Sequence, residues 1–189
     1  AAEERMFCTG QLDITNELPN TKIDVYRRER PAALRIEPYL GVYFYRCNVT
    51  RPPLNDKRVR RALALALDRE TLIKRVLHGD QRPAYAVSYP DCAGYTATAR
   101  LQGDIAEARR LLAEAGYPGG QGLLPIELLY NTSENHRAIA ETLQAMWSKH
   151  LGIELRLTNQ EWKVYIDSQK TRAFQLQRAG WIADYLDPH

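Results

Sequence analysis

The sequence has no apolar run long enough to span a bilayer, and its opening, Ala1-Ala2-Glu3-Glu4-Arg5, has none of the apolar stretch of a secretory signal. It therefore reads as mature, trimmed or cytosolic at this end. Cysteine is scarce: Cys8, Cys47 and Cys92 lie far apart and form no Cys-x-x-Cys pair, which argues against zinc-ribbon and thioredoxin chemistry. One disulfide with a free thiol and three reduced thiols are both compatible with that spacing. The 4 histidines are scattered and make no metal-ligand cluster. Gly-x-Ser-x-Gly, His-Glu-x-x-His and Walker-type loops are all absent. A hydrolase would have to be imagined from His136, Glu134 and Asp184 alone. Charge of one sign is lacking too, since 26 basic and 23 acidic residues interleave to a net +3. The short basic run Lys57, Arg58, Arg60, Arg61 falls in an amphipathic helical pattern and reads as a solvated face, so no nucleic-acid partner is expected. No internal repeat or low-complexity tract occurs.

What is present is an ordinary globular composition, 44% hydrophobic and 26% charged over 189 residues. That suffices for one domain with a real core and a fraction of a second. Both ends read as interrupted. The chain opens in the middle of a helix, Glu3 to Phe7, closed by Gly10. It stops at Asp187-Pro188-His189, directly after an apolar, aromatic stretch.

The spacing predicts a short strand at Leu12-Asp13-Ile14, a helix from Thr21 to Arg30 stopped by Pro31, and a β-branched, aromatic strand over 39–49. Helices follow over about 56–67 and, behind an Asp68 cap, over 70–77, ended by His78-Gly79-Asp80. Residues 79–103 read as a long ordered loop. From Asp104 onward the pattern alternates helix, strand, helix, strand, helix, strand. Asp104 and Glu107 have capping-box spacing, and Gly116 and Pro118 close that helix. A strand at 125–130 leads to a helix capped by Thr132-Ser133 and running from Glu134 to about His150. A strand from Ile153 to Leu157, a helix from about Gln160 to Gln169 and a last strand-like segment from Phe174 to Ile182 complete the series. Such alternation predicts α/β layering with a largely parallel sheet.

Several segments, in order, resemble the peptide/nickel-type extracellular solute-binding family, and its oligopeptide-binding branch most closely. They are Asn55-Asp56-Lys57-Arg58-Val59-Arg60-Arg61-Ala62-Leu63 with Ala66-Leu67-Asp68-Arg69-Glu70; Tyr130 to His136; Met146-Trp147, Leu151-Gly152-Ile153 and Asn159 to Lys163; and Arg178-Ala179-Gly180-Trp181-Ile182-Ala183-Asp184-Tyr185. Asp104 to Leu112 and Gly10 to Ile14 also fit. The resemblance covers nearly the whole chain and implies α/β architecture as one lobe of a two-lobed periplasmic-binding-protein (type II) clamp. Residues 1–45 would be a hinge-adjacent fragment of the first lobe, and 46–189 most of the second, peptide-binding lobe, truncated at its C-terminus. It implies a receptor and not an enzyme: a periplasmic or lipid-anchored protein, acting outside the cytoplasmic membrane, that delivers oligopeptides to the membrane permease subunits of an ABC importer. No cofactor or metal is implied. Relatives that bind dipeptides, murein peptides or nickel complexes are the alternative. Loss of the facing lobe would favour self-association of the chain.

The resemblance also carries site roles. Asp184 matches the aspartate that pairs with a peptide's α-ammonium group, although on residue type alone it is a solvated or capping aspartate before a turn. Arg178 and His136 match positions that meet peptide carboxylates, a task for which a permanently charged donor fork is suited. A histidine near a helix start is as often a surface residue. Trp162 and Trp181 match cleft-wall tryptophans, with plain core packing as the other reading. Gln169 stands where basic family members carry a charge for the peptide C-terminus; Lys170 and Arg172 are close by. Main-chain groups around Asn131-Thr132-Ser133 and Ala179-Gly180 are candidates to pair with an extended peptide.

Overall fold

The computed structural model describes residues 2–15, 18–37, 40–78 and 81–187. Its helices are α1 (Ala2–Cys8), α2 (Asn20–Glu29), α3 (Lys57–Leu65), α4 (Arg69–Leu72), α5 (Ile105–Glu114), α6 (Glu134–Leu151) and α7 (Trp162–Lys170). The strands β1 (Gly41–Cys47), β2 (Ile126–Asn131), β3 (Leu155–Gln160) and β4 (Leu176–Ile182) form one sheet in the order β1-β4-β2-β3. β2 is parallel to β3 and β4, whereas β1 runs antiparallel to β4 along its whole length. The expected α/β layering is present, with an antiparallel strand on one edge.

Local chemistry sets most boundaries. Asp56, Asp68 and Asp104 each accept a backbone N–H in the first turn of the following helix, from Arg58 (2.8 Å), Thr71 (2.9 Å) and Glu107 (2.9 Å). The capping box is only half made, because the Glu107 carboxylate turns to Arg110 at 2.7 Å. Ser133 holds the N-cap position of α6 without a capping bond, and its hydroxyl is buried with no partner among the described residues. Glu161 accepts from the Lys163 N–H at 2.9 Å, so α7 starts at Trp162 and Gln160 closes β3. α4 continues as a π-helical turn over Ile73–Leu77, and His78 ends it at φ +55°. Gly79 and Asp80, part of the same expected stop, lie outside the described residues, as do Tyr39, the expected strand start, and Pro188 and His189. The strand expected at Leu12–Ile14 does not form; three residues of β propensity make no strand without a neighbour to pair with. Cys8, Cys47 and Cys92 are all free thiols.

The core lies on one face of the sheet. There Ile126, Leu128 and Tyr130 of β2 meet Val59 and Leu63 of α3, Leu112 of α5, and Ile139, Leu143 and Trp147 of α6. The Trp147 indole N–H donates to the Leu63 carbonyl at 2.9 Å, locking α6 to α3. A smaller cluster, Leu129, Tyr165 and Phe174, shows that α7 covers the opposite face. Each buried Leu or Ile contributes about 1.5–3 kcal/mol.

Two turns meet without side chains. An ideal Cβ on Gly152, at φ +67°, would stand 2.2 Å from the Gly119 carbonyl oxygen, and one on Gly120 would stand 2.4 Å from that of Gly152. Gly116 is also left-handed, at φ +97°, but its Cβ would meet nothing within 4 Å. Gly116→Ala should therefore cost only left-handed strain, about 1–2 kcal/mol. Gly152→Ala should cost a further ~1–3 kcal/mol from backbone overlap. Urea midpoints at unchanged m-value measure both, and equal losses would refute the packing account.

Candidate functional site

In open α/β sheets ligands bind beyond the carboxyl ends of the parallel strands. At that end β2 finishes at Asn131, α6 begins, and β4 runs on past its neighbour. β4 pairs with β1 from Leu176 to Ile182, but with β2 only through Leu128 opposite Leu176 and Leu129 opposite Gln177. Past Gln177 the sheet opens between β4 and β2.

Alternation along β4 puts Arg178 on the same face as Leu176, toward α6, where Tyr43 and Tyr45 of β1 also pack. Gly180 lies opposite Tyr43, and a Cβ there would sit 3.4 Å from Arg178 Nη2. The missing side chain lets the guanidinium lie over the Tyr43 ring, 4.7 Å from its centroid. Arg178 Nη1 donates to Asn131 Oδ1 at 3.3 Å, while Nε is buried with no partner among the described residues. The Tyr43 hydroxyl is 3.4 Å from His136 Nδ1, the ring centroids 5.6 Å apart. From the other face the Tyr165 hydroxyl donates to the Arg178 carbonyl, and the Tyr165 ring stacks on Trp162 at 5.8 Å.

No carboxylate pairs with Arg178 among the described residues. Burial, and then the charge of Arg178, pull His136 from its ordinary value down to about 4, so the imidazole is neutral at pH 7. Burial raises the Tyr43 and Tyr45 hydroxyls, which stay protonated.

The fold thus brings Arg178 and His136 together, with Tyr43 between them. Trp181 projects to the other face of the β1–β4 pair. There it lines a groove of about 580 Å³ with Val42, Phe44 and Tyr89 of the 81–103 loop. Trp162 and Trp181 are each 54% exposed, so neither is a core residue. Asp184 follows β4 in an exposed bend, without a hydrogen bond or ion pair among the described residues. Gln169 is half-buried on α7, seven residues beyond Trp162 and so about 10 Å along the helix axis from it. Tyr43 and Tyr165 were missed by sequence reasoning, and Asn131, named for its main chain, acts here through its side-chain oxygen on Arg178. Tyr43 stands in an aromatic run whose composition says only strand. Its role depends on the register that sets it opposite Gly180.

The sequence matches the profile of bacterial extracellular solute-binding proteins, family 5 Middle, over residues 1–189. The chain belongs to this family. Among its relatives, the periplasmic murein peptide-binding protein of Escherichia coli is 38% identical and the match covers all of this chain. The periplasmic oligopeptide-binding protein of Salmonella typhimurium is 39% identical over 96% of the chain. The chain spans 36% and 35% of those two proteins. Among solved family 5 structures, the E. coli murein tripeptide-binding protein superposes with a TM-score of 0.92 at 38% identity, over 100% of this chain and 38% of that one. Haemophilus influenzae OppA in complex with RPPGFSPFR gives 0.88 at 32% identity, over 99% and 38%. The fold is that of the type II periplasmic binding proteins, and family 5 members are solute-binding receptors. No helix among the described residues is long and apolar enough to cross a membrane.

The low His136 value has a testable origin. Replacing Arg178 with Met should raise it, yet leave it below the ordinary 6.5, because burial is the larger cause. An NMR titration of the ring protons checks this; no rise, or full recovery, contradicts it. The sign for stability follows from the lowered folded value. Between pH 6.5 and about 4 the unfolded chain takes up a proton that the folded chain refuses, so stability is lost as pH falls through that window.

Proposed function

We propose that this chain is part of an extracytoplasmic receptor that captures oligopeptides and delivers them to the permease subunits of an ABC importer, without chemical conversion. Residues 46–189 would form most of one lobe and 1–45 a hinge-adjacent piece of the other. β1 spans that boundary and would run continuously between the lobes. The observation that carries the proposal is that β4 past Gln177 has no strand paired on its β2 side among the described residues, where the Arg178 carbonyl accepts only from the Tyr165 side chain. A strand that is paired on one side only can accept an extended peptide on the other, through main-chain groups that do not read sequence. Around it stand Arg178 and His136 for carboxylates, Trp162 and Trp181 as flat apolar walls, and Asp184 for the ammonium group every unmodified peptide carries. Gln169, uncharged and farther along α7, would contact only longer peptides. Incubation of a peptide with the protein should return it intact; a cleaved product would favour a hydrolase.

A murein peptide is the second reading, favoured by the 38% identity and 0.92 TM-score to the E. coli protein. Calorimetric competition between an all-L tripeptide and a murein tripeptide separates the two.

Asp184 is exposed here and would be desolvated when the facing lobe closes on a peptide. Removing one member of a buried ion pair costs about 3–5 kcal/mol, because the other charge stays uncompensated. In the intact receptor, Asp184→Asn should weaken binding of free peptides by roughly two to three powers of ten. N-acetylated peptides should bind the wild type poorly and lose little more in the variant. Equal losses for free and acetylated peptides would make Asp184 structural.

Trp162, Trp181, Tyr185 and Leu186 are all exposed. Apolar surface of that kind tends to find a partner. The 189-residue chain should self-associate through it, and sedimentation as a monomer at high concentration would contradict this.

A further inference from the structure

The Tyr43 hydroxyl stands 3.4 Å from His136 Nδ1, and the Tyr45 and Arg178 side chains also act as hydrogen-bond donors toward its oxygen. A hydroxyl brings one proton and one ring nitrogen must match it. If Nδ1 carried the imidazole proton, it would compete with Tyr45 and Arg178 for the Tyr43 oxygen and leave one donor unmatched. If the hydroxyl donates instead, both groups are satisfied, because the imidazole proton then sits on Nε2. Buried donors left without acceptors are the costlier defect. The surroundings agree: the charged group beside the ring is Arg178 of β4, the β1 hydroxyls of Tyr43 and Tyr45 are protonated, and β2 presents the neutral Asn131 amide. The Tyr43 ring face meanwhile supports Arg178, whose Nε–H points to no protein acceptor among the described residues.

We propose that Tyr43 is a positioning residue: its ring seats the Arg178 guanidinium and its hydroxyl donates to His136 Nδ1, so that Arg178 and His136 both present N–H donors to a ligand carboxylate. The carboxylate rests on the peptide-receptor reading; the two placements by Tyr43 do not. Two substitutions separate them. Tyr43→Phe keeps the ring and removes the hydroxyl, whereas Tyr43→Leu removes both.

The experiment has a ligand-free arm and a ligand arm. Nitrogen-15 spectra of the 189-residue chain at pH 7 should show the His136 proton on Nε2, and a mixture of both tautomers in Tyr43→Phe. In the intact receptor, the affinity ratio of a free-carboxylate peptide to its C-amidated form should fall about tenfold in Tyr43→Leu, and less in Tyr43→Phe, where the ring still seats Arg178. A proton on Nδ1 in the wild type, or an unchanged His136 spectrum in Tyr43→Phe, overturns the hydroxyl's role. An equal fall in both variants overturns the ring's role. Should Tyr43→Leu not fold, the tautomer of the Phe variant decides. A wild-type receptor that binds both peptide forms alike, with the tautomers as expected, overturns the carboxylate reading and leaves the placement by Tyr43 intact.

Discussion

Arg178 is a permanent positive charge, half-withdrawn from water, with no carboxylate of the described chain against it. Three neutral groups support it instead: an aromatic face, an amide oxygen, and an imidazole that burial and the charge itself keep unprotonated. An internal aspartate would have neutralised the guanidinium and left nothing for an outside anion to gain. Much of the sheet can be understood from that requirement. Antiparallel pairing of β1 with β4 sets Tyr43 opposite Gly180, where the absent side chain makes room for the guanidinium. The early parting of β2 from β4 brings Asn131 alongside without closing the opening. Charge, register and strand length are here one constraint.

The two faces of β4 are chemically unlike. Toward α6 the strand offers Arg178 and the polar cluster; away from it, Trp181 and an apolar groove. Tyr165 joins them, its hydroxyl on the Arg178 carbonyl and its ring under Trp162. A disturbance of the tryptophan wall can therefore reach the arginine's backbone through one side chain, and substitutions at Trp162 and Arg178 are not independent.

Local signals were legible where local chemistry decides. The aspartate caps at Asp68 and Asp104 depend on residues within one turn, and each is where its spacing predicts, whereas Asp56, read as the first helical residue, caps α3 instead. The strand expected at Leu12–Ile14 failed because a strand is a pairwise structure and its own residues do not supply the pair. Gln160 is polar enough to open a helix, yet the Glu161 cap competes for the start and wins. The site was legible only in part. Arg178, Trp181 and Asp184 carry a resemblance, whereas Tyr43 and Tyr165 owe their place to register and to a crossing between sheet faces. Nothing in a run of aromatic residues says which one will lie under a guanidinium.

The meeting of Gly119 and Gly120 with Gly152 has a consequence for how this sequence can change over time. Most core contacts are negotiable: a larger residue on one side can be offset by a smaller one opposite. Here both sides are bare main chain, with nothing left to trim. A side chain gained at Gly152 cannot be accommodated by any replacement at Gly119 or Gly120, and the reverse holds as well. The two turns, more than thirty residues apart in the chain, are tied together without being able to compensate for one another. Such a seam drifts only if the loop lengths change and the turns separate.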